Sequence, residues 1–230
     1  MRSLIPALLL LPAAAHENHE SNNDLLYGIE VLTGYRSEYV DRGFKLANDL
    51  IEVQIGTEIA LSNDWWIDFG AWYGTETGSG SFDQASAFFG VHYDHDRWRT
   101  GLDLTYSSYS DLIFRDGIRI GPYFDWFFGA DWRVGAAVEY DDGAEGWYGK
   151  LEAEWSQPTG DNSFVTVLGG LSATSDFYRE SGWNDAFGRL SWTYQINRHV
   201  AVTPFAGTSI GLDSGRSDRF FGGLWFEVNF

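Results

Sequence analysis

Charged side chains recur at every second position of otherwise apolar segments, and they are the residues of this sequence most suited to chemistry. In residues 50–61, Glu52 and Glu58 lie an even number of residues apart, while isoleucine, valine, threonine and leucine fill the alternate positions. Because side chains two residues apart point to the same side of a β-strand, such a segment has one polar and one apolar face. We predict that the polar faces line the inside of a barrel. Their charged residues are Glu52, Glu58, Asp68, Asp94, Arg99, Asp103, Arg119, Asp125, Arg133, Glu139, Lys150, Glu152, Glu154, Arg189 and Glu227. Glu30, Arg36 and His92 lie on the same polar faces.

The charged inner face has two possible roles. Acids and bases can pair across the lumen and brace the wall, or they can line a water-filled path. Because acids outnumber bases, a path would favour cations or neutral solutes. Barrel width grows with strand number, and twelve strands lie between the filled barrels of eight and the open ones of sixteen. Large side chains such as Trp72, Trp225 and Phe221 are candidates to constrict or close the lumen.

The positions of the histidines argue against an enzyme. Hydrolytic barrels use a His near the outer rim as a general base. Here His92, His95 and His199 adjoin short connections at the opposite end, and His16 and His19 precede the first strand. We therefore expect no catalytic site. We also expect no metal or cofactor site, because the sequence has no calcium-loop, phosphate-loop or dinucleotide motif.

The elements that position these residues are twelve segments of period-two alternation. They predict a transmembrane, antiparallel, up-and-down β-barrel of the all-β class. The predicted strands are 27–40, 50–61, 65–75, 84–95, 98–110, 117–128, 132–141, 147–156, 163–174, 185–196, 200–211 and 219–230. Short connections alternate with longer ones at 41–49, 76–83, 111–116, 142–146, 175–184 and 212–218. This alternation is typical of barrels with short periplasmic turns and longer outer loops.

Aromatic residues spaced eight apart are a more specific signal for a membrane. An even spacing keeps both rings on one face, and eight residues of a tilted strand rise roughly 20 Å. This is close to the apolar band of about 25 Å that aromatic girdles flank in transmembrane barrels. A soluble β-sandwich, which is the alternative, has no need of two such belts. The predicted girdle residues are Trp65, Tyr73, Trp98, Tyr106, Trp132, Tyr140, Trp147 and Trp155.

Composition excludes several other classes of protein. The 230 residues include 11 Trp, 12 Tyr and 17 Phe, which is too aromatic for a disordered chain. The absence of Cys excludes a disulfide framework. A formal net charge of −18 argues against nucleic acid as a partner. No apolar run reaches about 18 residues, so no membrane-spanning helix is predicted.

The two ends of the chain indicate export to the outer membrane. Residues 1–15 have the basic start, apolar core and small-residue end of a signal peptide. Residues 16–26 form a polar tail, and residues 27–230 form the barrel as one domain. The alternating last strand ends at Phe230 and resembles the assembly signal of outer-membrane barrels, so it implies recognition by the barrel assembly machinery. We expect the barrel surface to contact outer-membrane lipid and lipopolysaccharide.

A short motif in the first strand resembles a known family. Ser37, Tyr39, Arg42 and Gly43 match the pattern Ser-x-Tyr-x-x-Arg-Gly at the start of the TorF family of bacterial porins, also catalogued as Gcw_chp. The match covers about the first fifth of the mature chain. The resemblance implies an outer-membrane location and a porin role, and it supplies no catalytic residues. From the residues alone, Arg42 and Gly43 indicate a turn leaving the first strand, and this role is favoured over ligand binding by Arg42.

Together these observations predict a narrow outer-membrane channel for passive diffusion of small solutes, with a preference for cations. The alternative is a closed barrel that serves as a structural element or an adhesin and does not conduct. The predicted outer loops are modest in length, which suits the rim of a pore better than an adhesive head.

Overall fold

The computed structural model describes residues 27–78, 80–110, 114–213 and 216–230. The predicted signal peptide (1–15) and polar tail (16–26) lie outside the described residues, and so do parts of the predicted loops 76–83, 111–116 and 212–218.

Twelve antiparallel strands close into one barrel, as predicted. Each strand pairs with its neighbours in the chain, and β1 pairs with β12 to close the ring. The described residues contain no helix long and apolar enough to cross a membrane. The strands are β1 (Tyr27–Asp41), β2 (Phe44–Ala60), β3 (Trp65–Glu76), β4 (Asp83–His95), β5 (Trp98–Tyr109), β6 (Gly117–Phe128), β7 (Trp132–Asp141), β8 (Gly146–Gly160), β9 (Ser163–Phe177), β10 (Glu180–Asn197), β11 (Val200–Gly211) and β12 (Arg219–Asn229).

The barrel is apolar on its outside. Along β2, Ile51 and Ile55 are about half exposed, whereas Glu52 between them is buried. The same alternation runs around the barrel and leaves a broad apolar surface of a kind that water-soluble monomers avoid. This surface fits the hydrocarbon of a bilayer. We refer to the end that holds Tyr27 and Phe230 as the terminal end, and to the opposite end as the far end.

Aromatic side chains form a belt near each end of this outer surface. At the terminal end, Trp98 pairs in register with Trp126, and Trp132 pairs with Trp155. At the far end, Tyr140 and Trp147 are cross-strand partners with ring centroids 5.2 Å apart. The structure places the eight predicted girdle residues on the outer face: Trp65, Tyr73, Trp98, Tyr106, Trp132, Tyr140, Trp147 and Trp155.

Two of the predicted long connections are wrong. Residues 41–49 and 175–184 were expected to be loops, but the strands continue through them and meet in two-residue turns at 42–43 and 178–179. All four turn residues have positive φ, between 49° and 79°, as the commonest two-residue hairpin turn requires. The polar sequence obscured these strands because they extend past the aromatic belts, where no lipid imposes apolar alternation.

The first hairpin leaves the barrel wall at the far end. The ladder between β1 and β12 ends at Arg36, and that between β2 and β3 begins at Leu50, yet β1 and β2 stay paired up to their turn. We call residues 37–49 the inner hairpin. A register shift at Tyr39/Val40 bends it, as β-bulges do. At its base, Asp49 has a left-handed φ of 47°.

Candidate functional site: the barrel lumen

The predicted inner-face residues all lie on the lumen side of the wall. Most are buried, and the others are only partly exposed. These residues are Glu52, Glu58, Asp68, Asp94, Arg99, Asp103, Arg119, Asp125, Arg133, Glu139, Lys150, Glu152, Glu154, Arg189 and Glu227. Their role in conduction remains a prediction. The structure adds the contacts that they make.

A buried charge cluster fills the lumen beside β1 and β2. The guanidinium of Arg36 donates three hydrogen bonds of 2.5–3.0 Å to the carboxylate of Glu52. The indole N–H groups of Trp72 and Trp225 donate to the same carboxylate at 2.9 and 2.7 Å. Trp225 stacks on Phe205 with ring centroids 4.0 Å apart. Four donor groups therefore converge on Glu52, whose side chain is only 1% exposed.

A second charge cluster braces the wall on β6, β7 and β8. Arg133 bridges Asp125 at 2.7 Å, Glu152 at 2.8 Å and Glu154 at 3.4 Å. Lys150 adds a contact of 2.8 Å to Glu152. Charges of both signs thus neutralise one another on the lumen wall, which matches the bracing interpretation of the inner face.

A buried histidine lies among carboxylates towards the terminal end. The ring nitrogens of His92 lie 3.3 Å from Glu58, 3.4 Å from Asp68 and 3.7 Å from Asp94. Asp94 also accepts hydrogen bonds from Arg99. Among the described residues, no group of three or more acidic, His or Cys side chains is arranged to hold a metal ion.

Two buried acidic residues at the terminal end differ from the other lumen carboxylates described above, because they have oxygens without hydrogen-bond partners. Glu30 on β1 and Glu227 on β12 face the lumen as diagonal neighbours, since Glu227 pairs in register with Leu32. Both are buried, yet both carboxylate oxygens of Glu30 and one of Glu227 have no hydrogen-bond partner in the described chain. The alternation predicted that they face inward, but it carries no information about partners.

Two cavities lie between the side chains of the lumen. One cavity of about 90 Å³ is lined by residues that include Arg42, Tyr148, Asp185 and Arg189. Another, of about 30 Å³, is lined by residues that include Gln54, Asp103, Arg119 and Glu139. Both are polar and large enough to hold water.

The tip of the inner hairpin crosses the far mouth to the opposite wall. Arg42 makes ion pairs of 2.5 Å with Glu139 and 3.0 Å with Asp141, both on β7. Its carbonyl accepts a hydrogen bond of 2.9 Å from the side-chain amide of Asn184 on β10. Burial by itself lowers the pKa of the Arg42 guanidinium, but the surrounding carboxylates, led by Glu139, outweigh burial and raise this pKa above its ordinary value.

An aromatic cluster surrounds the residue that follows the turn. The ring of Phe44 lies 6.0 Å from that of Phe177, 6.1 Å from Tyr178 and 6.2 Å from Phe114. The guanidinium of Arg216 covers the Phe44 ring at 4.2 Å, a cation–π distance. The tip is thus held by ionic, polar and aromatic contacts together.

All four residues of the first-strand motif belong to the inner hairpin. The hydroxyl of Ser37 accepts a hydrogen bond from the amide of Gly222 at 3.1 Å. Tyr39 is fully buried against Trp72, with ring centroids 5.5 Å apart. Arg42 and Gly43 form the turn, as predicted from the sequence. No local pattern predicts that the Arg42 side chain reaches the opposite wall, because its partners on β7 lie about a hundred residues away in the chain.

A closed antiparallel barrel with an apolar outside, two aromatic belts and a charged inside has the fold of the outer-membrane β-barrels. Many solved structures are similar to this chain, and three of them follow. The translocator domain of the autotransporter NalP from Neisseria meningitidis has a TM-score of 0.58 at 11% identity, covering 93% of this chain and 90% of that one. The NanC porin has a TM-score of 0.56 at 15% identity, covering 88% and 98%. An outer membrane channel from Pseudomonas putida F1 has a TM-score of 0.55 at 9% identity, covering 93% and 98%.

At these identities the likeness concerns the fold alone. No family profile matches the sequence, and no curated protein is similar to it.

Proposed function

We propose that this chain is a porin-like channel of the outer membrane that lets small solutes diffuse passively. The observation that carries the proposal is the ionised inner face of a twelve-strand barrel, enclosed by an apolar surface that fits lipid. Charges of this kind are expensive in hydrocarbon but normal in a hydrated barrel interior. The TorF-type motif and the porins and channels among the similar structures support the same interpretation.

As an outer-membrane channel, the barrel has a defined orientation in the membrane and defined partners. Both termini of an exported barrel with an even strand count lie on the periplasmic side, so the far end faces outward. Outer-membrane lipid and lipopolysaccharide surround the aromatic belts. Phe230 lies at the seam that closes the barrel, where its amide donates to the carbonyl of Ile29 at 2.9 Å. This position suits an assembly signal read by the barrel assembly machinery, with residues 1–15 as the leader for export.

Liposome swelling tests the channel function directly. Vesicles that contain the refolded chain are placed in isotonic solutions of sugars of increasing size, with protein-free vesicles as the control. We expect swelling in the smallest sugars and none in the larger ones, because twelve strands enclose a narrow lumen. The ion pairs that brace the lumen wall favour one second candidate, a closed structural barrel. A folded chain that gives no swelling in any sugar would establish that candidate instead.

A preference for cations would arise from Glu30 and Glu227. Other lumen carboxylates, such as that of Glu52, are neutralised by a bound guanidinium. We expect the double variant Glu30→Gln, Glu227→Gln to move the reversal potential towards zero in a KCl gradient at alkaline pH, where buried carboxylates without a counter-charge ionise. The variant then removes two lumen charges whose carboxylates have unbonded oxygens.

The matched control removes two charges at the same end of the barrel but outside the lumen. Asp64→Asn with Asp161→Asn does so in the exposed turns that follow β2 and β8. Salt screens these exposed carboxylates, so the control should leave the reversal potential near that of the unmodified chain. Equal effects of the two double variants would contradict the assignment of selectivity to Glu30 and Glu227.

A further inference from the structure

We propose that the inner hairpin, residues 37–49, is a gate for the outer mouth of the barrel and that Arg42 is its latch. The proposal rests on the proposed channel function and adds the element that regulates it. Three features of the hairpin carry it: its detachment from the wall, the chemistry of its tip, and the conformation of its base.

The hairpin can move without breaking a strand ladder of the barrel. Beyond Arg36 on β1 and before Leu50 on β2, the two strands bond to each other and have no register partners on β12 or β3. Swinging the hairpin outward therefore keeps its own ladder. It breaks side-chain contacts with the wall: the hydrogen bond from the Gly222 amide to Ser37, the ion pair of Asp41 with Arg119, and the packing of Tyr39 against Trp72.

The tip is held across the mouth by contacts that can be exchanged for water. The Arg42 guanidinium faces Glu139 and Asp141 on the opposite wall, and its carbonyl faces the amide of Asn184. Each of these groups is well solvated when it is exposed, so release of the latch exchanges its contacts for hydration. The Phe44 ring leaves its aromatic neighbours Phe114, Phe177 and Tyr178 in the same step, and this packing favours the closed position.

The base of the hairpin has the features of a hinge. Asp49 occupies a left-handed φ of 47°, a conformation that is uncommon for residues other than glycine and that aspartate adopts more readily than most. Its carbonyl accepts hydrogen bonds from the amide and the hydroxyl of Thr77, at 2.9 and 2.6 Å. The hydroxyl of Tyr35 donates to its carboxylate at 2.5 Å. The base is thus pinned to the wall where the hairpin turns inward.

A disulfide between the tip and the wall tests the gate. A Cβ atom placed on Gly43 would lie 2.9 Å from the amide nitrogen of Asn184, so Gly43→Cys with Asn184→Cys brings two thiols together. The chain has no cysteine of its own, so any disulfide is the engineered one. Oxidation should reduce the single-channel open probability to the background level, and reduction should restore it. Each single-cysteine variant serves as a control.

A second lock avoids the left-handed position of Gly43, which disfavours a residue with a Cβ atom. Phe44→Cys with Tyr178→Cys, bridged by a short bis-maleimide, joins residues whose rings are 6.1 Å apart. It should close the channel in the same way.

Loss of the latch should have the opposite effect. We expect Arg42→Gln to raise the open probability at least about tenfold, the change that a loss of about 1.4 kcal/mol produces. Arg115→Gln is the matched control, because it removes a charge from an exposed ion pair with Glu145 at the same end.

The outcomes separate the gate from the channel. If both locked variants, with the crosslink verified by mass spectrometry, conduct like the unmodified chain, the gate is overturned and the channel stands. An Arg42→Gln variant with an unchanged open probability overturns the latch. If no variant conducts, reduced or oxidised, although each shows the heat-modifiable gel shift of a folded barrel, the proposed function fails and the gate fails with it.

Discussion

Leu151→Arg is expected to destabilise the barrel by about 2–4 kcal/mol, whereas Leu61→Arg should cost about 0–1 kcal/mol. The two leucines are almost equally exposed, at 60% and 57%, so they differ mainly in depth. Leu151 lies midway between Trp147 and Trp155, the belt residues of β8. Leu61 lies in the turn that follows β2.

The two substitutions differ in cost because Leu151 faces the hydrocarbon of the bilayer, whereas Leu61 lies near its interface with water. An Arg at the bilayer midplane loses its hydration, but an Arg near the interface keeps its head group in water. Reversible urea unfolding of the refolded barrel in lipid vesicles measures both free energies. Two variants with the same small cost, such as exposed sites of a soluble protein show, would refute a lipid-facing surface.

Glu52→Ala should be the most damaging single change inside the lumen, with an expected loss of about 3–5 kcal/mol in the free energy of unfolding. The substitution leaves the Arg36 guanidinium buried without a counter-charge, and it removes the acceptor of both the Trp72 and the Trp225 indole. The side chains of Arg36 and Glu52 are only 3% and 1% exposed, so bulk water does not solvate the guanidinium that is left behind.

The double variant Arg36→Leu, Glu52→Leu separates this explanation from a simple loss of volume. Removing both charges should cost less than Glu52→Ala alone, because well-packed apolar residues often replace a buried ion pair at little cost. The same urea titration in vesicles reports the result. A loss below about 1 kcal/mol for Glu52→Ala would show that the cluster does not stabilise the lumen. A larger loss for the double variant than for Glu52→Ala would contradict the explanation by an unpaired Arg36 charge.

The barrel wall could be predicted because lipid imposes a simple rule on it. Residues 50–61 alternate between apolar and polar side chains since one face meets hydrocarbon and the other meets the lumen. The same rule placed the girdle residues on the outside. The terminal-end belt also contains Tyr93 and Trp126, which the spacing of eight does not select. Cross-strand register brings them beside Trp65 and Trp98.

The inner hairpin could not be predicted because the contacts that hold it across the mouth are not local. Residues 44–49 are partly polar and lie beyond the lipid, so they appear in the sequence as a loop. The Arg42 side chain finds its partners 97 and 99 residues away, on the opposite wall of a ring that exists only after closure. The lack of partners at Glu30 and Glu227 is likewise a property of the closed seam between β1 and β12.

Single-channel recording of the refolded, unmodified chain in a planar bilayer is the most direct test of whether this barrel is a channel. We expect resolved conductance steps of small size, separated by long closed periods in which the inner hairpin lies across the mouth. A chain that shows the heat-modifiable gel shift and yet gives no steps, both unmodified and with Arg42→Gln, would contradict the claim that this barrel is a channel.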